Sequence, residues 1–390
     1  MTDDAPLSSL IRFAPKPFDL EAGARAVAVL GIDGPASDFI SGVAGCSSYL
    51  ARLIERYPEM AQRALDTSPR ASVARAVSAA WRAADEEDPA AEMKALRVAK
   101  ADAAFSIALA EISGASTTME AARGLSEFAD AATGAATRMA LRQAMRLGFK
   151  PENAERPEEK SGVTVLAMGK HGASELNYSS DIDLVILFDS ASEALGGALD
   201  SKRIAVAVAR SIVARLNDQT ADGYVFRTDL RLRPDPGVSA AAVSINAAET
   251  YYESHGQNWE RAAFIKARAA AGDIAAGEEF IRRLRPFIWR RSLDFAAIEE
   301  VYTVMRQIHA SKGADETDFF GHDLKRGRGG IREIEFYVQA QQLISGGKNP
   351  AFRVRATLDA FAALVDAGIV GRDAADALCD RYRYLRKVEH

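Results

Sequence analysis

The sequence predicts an α+β protein with three parts: an all-helical N-terminal domain over residues 1–150, a small mixed sheet with helices over 160–275, and a helical region over 276–390. Three observations carry this. Apolar residues recur at helical spacing from about residue 19 to 150. Val163 to Asp189 reads as an apolar strand, a glycine-rich turn and a second apolar strand. After residue 330 the helical period returns, from Ile331 to Ile344 and in two further stretches over 350–390.

Residues 1–18, with Pro6, Pro15 and Pro17, read as a lead-in without regular structure. Phe39, Val43, Cys46, Leu50 and Leu53 then form one stripe, capped at Ser37 or Asp38 and stopped at Pro58. Val73, Val77, Trp81 and Ala84 form the next, ending near Pro89. Met93, Leu96, Ala99, Ala103 and Ile107 form a third, ending at Gly114, and a last helix spans Thr118 to Leu147, before Gly148. Alanine richness favours helix and close helix packing. No chemistry is legible here, and a bundle that packs on or orients a catalytic part is the plain reading. Residues 149–161, FKPENAERPEEKS, read as a polar, solvated linker.

In the second strand of the Val163–Asp189 unit, Asp181 and Asp183 share one face, because residues two apart in a strand point the same way. Two such carboxylates repel each other unless a cation neutralises them, and Mg2+ is the hard cation suited to carboxylate oxygens. A helix is expected from Ser201 to Asn217, then an alternating strand, YVFRTDLRLR, from Tyr224 to Arg233. Its second face carries Arg227, Asp229, Arg231 and Arg233, so Asp229 is placed as a further metal ligand and the arginines as holders of phosphate oxygens. Val238 to Ile245 is expected to return as another strand and Ala247 to Ala271 as a helix. On that helix Lys266 joins the stripe of Trp259, Ala262 and Ala263, where it either snorkels or faces a nucleotide.

The run Gly169-Lys170-His171-Gly172-Ala173-Ser174-Glu175-Leu176-Asn177-Tyr178-Ser179-Ser180-Asp181-Ile182-Asp183-Leu184 and the later Arg227-Thr228-Asp229-Leu230-Arg231-Leu232-Arg233-Pro234 resemble one known family. It is that of the bifunctional glutamine-synthetase adenylyltransferase/adenylyl-removing enzymes, in their N-terminal, adenylyl-removing half. Tyr251 to Asp273 and Asp323 to Gln339 match it too, so the resemblance rests on specific motifs over roughly residues 160–390.

The resemblance implies a nucleotidyltransferase-like palm of the polymerase-beta type with a small mixed sheet. It also implies removal of AMP from a modified tyrosine of glutamine synthetase. Orthophosphate would attack and ADP would leave, with two Mg2+ ions on Asp181, Asp183 and Asp229. Signal protein PII and glutamine would set the direction. Alternatives are AMP transfer from ATP onto glutamine synthetase, or a PII-sensing fragment without catalysis. Because the family carries two such units in a longer chain, this one is expected to be an N-terminal fragment.

Candidate nucleotide or phosphate contacts are Gly169, Lys170, Gly172, Ser174, Ser180, Arg231, Arg233, Lys266 and Lys325. The glycines either approach phosphate through backbone amides or only make a tight turn. Lys170 either contacts phosphate or is exposed. Lys325 lies in Lys325-Arg326-Gly327-Arg328-Gly329-Gly330 before a helix, which suits an anion or is a plain basic loop. Glu335, on the apolar stripe of that helix, must be paired, most simply with an arginine.

Composition excludes several classes. Hydrophobic residues make up 48% and charged residues 26% of 390, a soluble globular balance. The net charge of −5 gives no basic field for nucleic acid or membrane. Two distant cysteines, Cys46 and Cys379, support neither a disulfide framework nor a thiolate zinc site and fit a reducing cytoplasm. His171, His255, His309, His322 and His390 are too scattered for a histidine metal centre. The N-terminus lacks the marks of a signal peptide, and no run is long and apolar enough to span a bilayer.

Overall fold

The computed structural model describes residues 4–291 and 321–390. His309 and the central stretch of the 276–390 helical region lie outside the described residues. The protein is helix-rich with one small mixed sheet, as an α+β chain should be. Contacts divide it into two units. The first is Met1–Ala136 with Leu176–Ser180 and Ala214–Arg227; the second is Thr137–Glu175, Asp181–Val213 and Thr228–His390.

The first unit is helical. Side chains of Asp19, Ser47, Ser68 and Asp88 each accept an amide hydrogen bond in the first turn of the helix that follows, satisfying donors that a helix start leaves open. The long stripe expected from Phe39 to Leu53 is two helices, Pro35–Cys46 and Ser48–Arg56, because Ser47 leaves helical geometry and caps the second. The cap of the first is Gly34, not Ser37 or Asp38, and Pro58 opens the next helix, Pro58–Asp66. A short helix, Leu7–Leu10, lies in the expected lead-in and buries Leu7. In Pro69–Ala83 the buried line is Ser72, Ala76, Ala80 and Ala83, one residue off the expected line of valines and Trp81. Helices Pro89–Ile112 and Thr118–Ala144 stand where their stripes place them. The core joins Phe39, Ile40, Ile54, Leu65, Phe105 and Leu109.

The second unit holds the sheet. Strands β1 (Val163–Ala167) and β2 (Ile182–Phe188) pair antiparallel, and β5 (Arg268–Gly272) pairs antiparallel with the other edge of β1. Two short strands, β3 (Thr228–Asp229) and β4 (Val243–Ser244), run parallel to β2 near its opposite ends. Both faces of β2 are covered: Val185 and Leu187 are as buried as Ile182, Leu184 and Ile186. Around Leu166, Met168, Val185 and Leu187 pack Tyr252, Phe264, Phe280, Phe287 and Leu343.

Four sequence expectations are corrected here. The helix expected over Ala247–Ala271 is two helices, Ile245–Ser254 and Asn258–Phe264, followed by β5. Sheet pairing outweighs the helix preference of Arg268-Ala-Ala-Ala-Gly272. The strand expected over Tyr224–Arg233 pairs only at Thr228 and Asp229, because the chain turns back where Arg233 N donates to Leu230 O. The strand expected over Val238–Ile245 pairs only at Val243 and Ser244. The 149–161 segment is not solvated throughout: Glu158 is buried and accepts from Arg138 Nε at 3.1 Å on both carboxylate oxygens. Helices Ile331–Ser345, Thr357–Asp366 and Arg372–Glu389 complete the second unit.

Candidate active site

The site grows from the end of β1. After Ala167, Met168 N donates to Asp183 O at 2.9 Å, and the chain turns through Gly169–Gly172. Gly169 has φ +55°, and a Cβ there would stand 2.6 Å from Asp183 Oδ2. Glycine is required at this point by conformation and by space together. Gly172 is packed as tightly: its Cβ would fall 2.1 Å from Lys266 O. Ser174 also takes a left-handed conformation, φ +60°.

Parallel pairing of β2 with β3 sets Asp183 opposite Asp229 in register. This is the central fact of the site, because it puts two carboxylates abreast on adjacent strands. Burial first, then Asp229 and Asp181, push the Asp183 carboxyl up to about 6, against the pull of Lys325 and Arg231. Asp229 behaves oppositely. Arg231 Nε donates to its two oxygens at 3.0 and 2.8 Å, and Arg231 N to Oδ1 at 2.8 Å. These bonds hold its carboxyl below the usual range. Asp181 is exposed just before β2.

The predicted residues separate into three groups. Gly169, Asp181, Asp183, Asp229, Arg231 and Lys325 are linked at the site by contact, by register or by the charges acting on Asp183. Arg233 is engaged in its own loop, where its guanidinium donates to the carbonyls of Leu230, Pro236, Ser239 and Ala240 at 2.8–3.0 Å. Ser180 groups with the first unit, its amide donating to Asn177 O at 3.4 Å.

The third group is buried. Lys266 lies just past Asn258–Phe264, not on a helical seam, and its Nζ stands 3.1 Å from Glu175 Oε2 and 2.8 Å from Glu335 Oε1. The partner of Glu335 is thus a lysine where an arginine was expected. Lys170 Nζ lies 2.9 Å from both oxygens of Glu389. Burial, then Arg386, lowers its ammonium to about 8 in spite of Glu335 and Glu389. Sequence reasoning reads Glu175 as a residue that caps or positions the loop rather than a ligand, and leaves Thr357 and Arg386 without a role. The signal for Glu175 was a carboxylate inside the glycine motif; for the other two there was none.

The donor set suits a hard cation in its chemistry, since Asp183 and Asp229 offer carboxylate oxygens and Asp183 carries the excess like charge that a cation would relieve. Among the described residues no three His, Cys, Asp or Glu side chains converge as a ready cation site, and Asp229 is turned onto Arg231. Among the same residues no helix is long and apolar enough to cross a membrane.

Comparison with known proteins places the chain. Residues 38–283 match the family described as Glutamate-ammonia ligase adenylyltransferase, and residues 298–390 match GlnD PII-uridylyltransferase. Proteins named bifunctional glutamine synthetase adenylyltransferase/adenylyl-removing enzyme are similar along the chain. The one from Mesorhizobium japonicum is 46% identical over 95% of this chain and 38% of its own length. That from Rhizobium meliloti is 46% identical over 92% of this chain and 37% of its own length. That from Brucella suis is 42% identical over 95% of this chain and 39% of its own length. The chain therefore spans less than two fifths of the length of these relatives. With matched sequence running through both the helical unit and the Asp183–Asp229 sheet, the chain belongs to the glutamate-ammonia ligase adenylyltransferase family.

Proposed function

We propose that the chain removes AMP from the adenylylated tyrosine of glutamine synthetase by phosphorolysis, on a nucleotidyltransferase palm formed by β1, β2 and β3. The observation that carries this reading is the register pair of Asp183 with Asp229 beneath Gly169. An orthophosphate oxygen bonds to the adenylyl phosphorus, and the bond from phosphorus to the tyrosyl oxygen breaks. ADP forms, and the tyrosine takes up the proton that the phosphate gives up. Gly169 leaves the approach to Asp183 free of a side chain. Arg231 and Lys325 bring positive charge beside the carboxylates, which suits a small dianionic acceptor.

Asp181, Asp183 and Asp229 would hold Mg2+, as one or two ions. When bound, the metal neutralises the phosphoryl oxygens and the departing phenolate. The chain then represents the adenylyl-removing part of the longer relatives, and the likeness of residues 298–390 to GlnD PII-uridylyltransferase supports regulation involving PII.

The second reading is AMP transfer from ATP onto glutamine synthetase, which the two-part name of the relatives favours. One experiment separates the two. Adenylylated glutamine synthetase, orthophosphate and Mg2+ are incubated with the chain and ADP is followed, with Asp183→Asn and Asp229→Asn as controls. ADP release that both substitutions abolish is expected. Labelled AMP passing from ATP to unmodified synthetase, without ADP release in the first assay, would reverse the direction.

A further inference from the structure

The glycine turn of the proposed site is held from outside by a buried set of charges that the reaction does not use. Three cations, Lys170, Lys266 and Arg386, face three carboxylates, Glu175, Glu335 and Glu389. Lys266 and Glu175 are almost wholly buried and Arg386 entirely so. Glu175 is the hub. Its Oε1 accepts from Thr357 N at 2.8 Å, and its Oε2 from Thr357 Oγ1 and Lys266 Nζ, each at 3.1 Å. Its carbonyl accepts from Arg386 Nη2 at 2.8 Å, and its amide donates back to Lys170 O at 2.8 Å. Arg268 adds donors to the carbonyls of His171 at 3.1 Å and Gly172 at 3.2 Å.

The bonds to Lys170, His171, Gly172 and Glu175 all end on the turn that carries Gly169 past Asp183. Carboxylates take up both ammonium groups, so the two lysines that the sequence offers as nucleotide contacts are engaged elsewhere. A left-handed serine and two crowded glycines make this turn one that would relax if released.

We propose that Glu175, Lys266 and Thr357 are positioning residues: they fix the Gly169–Glu175 turn against Asp183 and take no part in binding substrate. The proposal rests on the reading of Asp183 and Asp229 as the reaction centre.

Thr357 gives the test with the least disturbance. Thr357→Val deletes the hydroxyl at nearly constant volume, and Thr357→Ser restores it. In the valine variant, amide hydrogen exchange at Gly172–Glu175 is expected to quicken by about tenfold or more, the scale of a lost bond to a buried charge. Over the same change kcat for ADP release falls about tenfold, with KM for orthophosphate and for adenylylated synthetase unchanged. Serine restores both values. Unchanged exchange with unchanged kcat would overturn the proposal. So would a rise in orthophosphate KM at constant kcat in Lys266→Met, which would make Lys266 a substrate ligand. If the wild-type chain neither releases ADP nor transfers AMP, the functional reading fails by itself, and exchange at the turn still decides whether the clamp exists.

Discussion

Gly169 and Asp183 touch on the one side of Gly169 where any other residue would carry its Cβ. A methyl group there would sit 2.6 Å from Asp183 Oδ2, at a backbone angle of φ +55°. Gly169→Ala therefore meets two penalties, a left-handed conformation that costs about 1–2 kcal/mol and a clash with a carboxylate. The variant is expected to melt lower and to lose at least about tenfold in kcat, since misplacing a reacting group costs that much or more. Thermal melts and ADP-release kinetics on the same preparation check both.

Asp183 should be a residue that favours function over stability. Burial and two neighbouring aspartates raise its carboxyl to about 6, so at neutral pH its charge is held at a cost. Asp183→Asn is expected to abolish activity while raising the stability of the metal-free protein by about 1–3 kcal/mol. Mg2+ should stabilise the wild type and not the variant. Denaturant titrations with and without Mg2+ give all four values.

The Lys266–Glu335 pair predicts an acid limb. Burial would raise the Glu335 carboxyl, but Lys266, with Lys170 and Arg386, outweighs it and holds it down near 2. An unfolded glutamate titrates at about 4.3. Its contribution is thus fully present above about pH 5 and is lost as pH falls toward 2. Glu335→Gln should cost about 3–5 kcal/mol at neutral pH, as breaking a buried pair does. The gap from wild type should close as pH drops from 5 to about 2. Melting temperature against pH for the two proteins shows it.

Arg231 and Arg233, two residues apart, should fail in different ways. Arg233 fills the carbonyls of its own loop, so Arg233→Lys should lower stability by about 1–3 kcal/mol through acceptors left unpaired. Arg231 is exposed and, among the described residues, bonds locally to Asp229, so Arg231→Lys should leave the melt within about 0.5 kcal/mol and raise KM for orthophosphate. Melts and steady-state kinetics on both variants separate the roles.

The sequence made part of this legible for physical reasons. Helical stripes survive because burial imposes them locally, and β1, the turn and β2 are written by an apolar run, two glycines and a second apolar run. Asp229 groups with Asp181 and Asp183 in the sequence because it sits among arginines on one face of an alternating run, but its register against Asp183 comes from a strand of which only two residues pair. What escaped depends on partners distant in the chain. Arg268–Gly272 has the composition of a helix and is a strand because β1 offers it an edge. Lys266 looked like a seam residue because its carboxylates lie 91 and 69 residues away. The turn at Arg233 hid inside an alternating pattern because its guanidinium bonds to carbonyls, which side-chain periodicity does not report.

The bond from Thr357 N to the carboxylate of Glu175 joins residues 182 apart. A ribosome extends a chain at about 5–20 residues per second, N-terminus first. For some ten seconds or more after the glycine turn emerges, the groups that fasten it have not yet been made. The helical unit and the β1–β2 hairpin can form early from near neighbours, whereas the Gly169–Glu175 turn is set only when distant segments close upon it. A nascent chain halted before Thr357 would be folded in much of its length and still lack a fixed site.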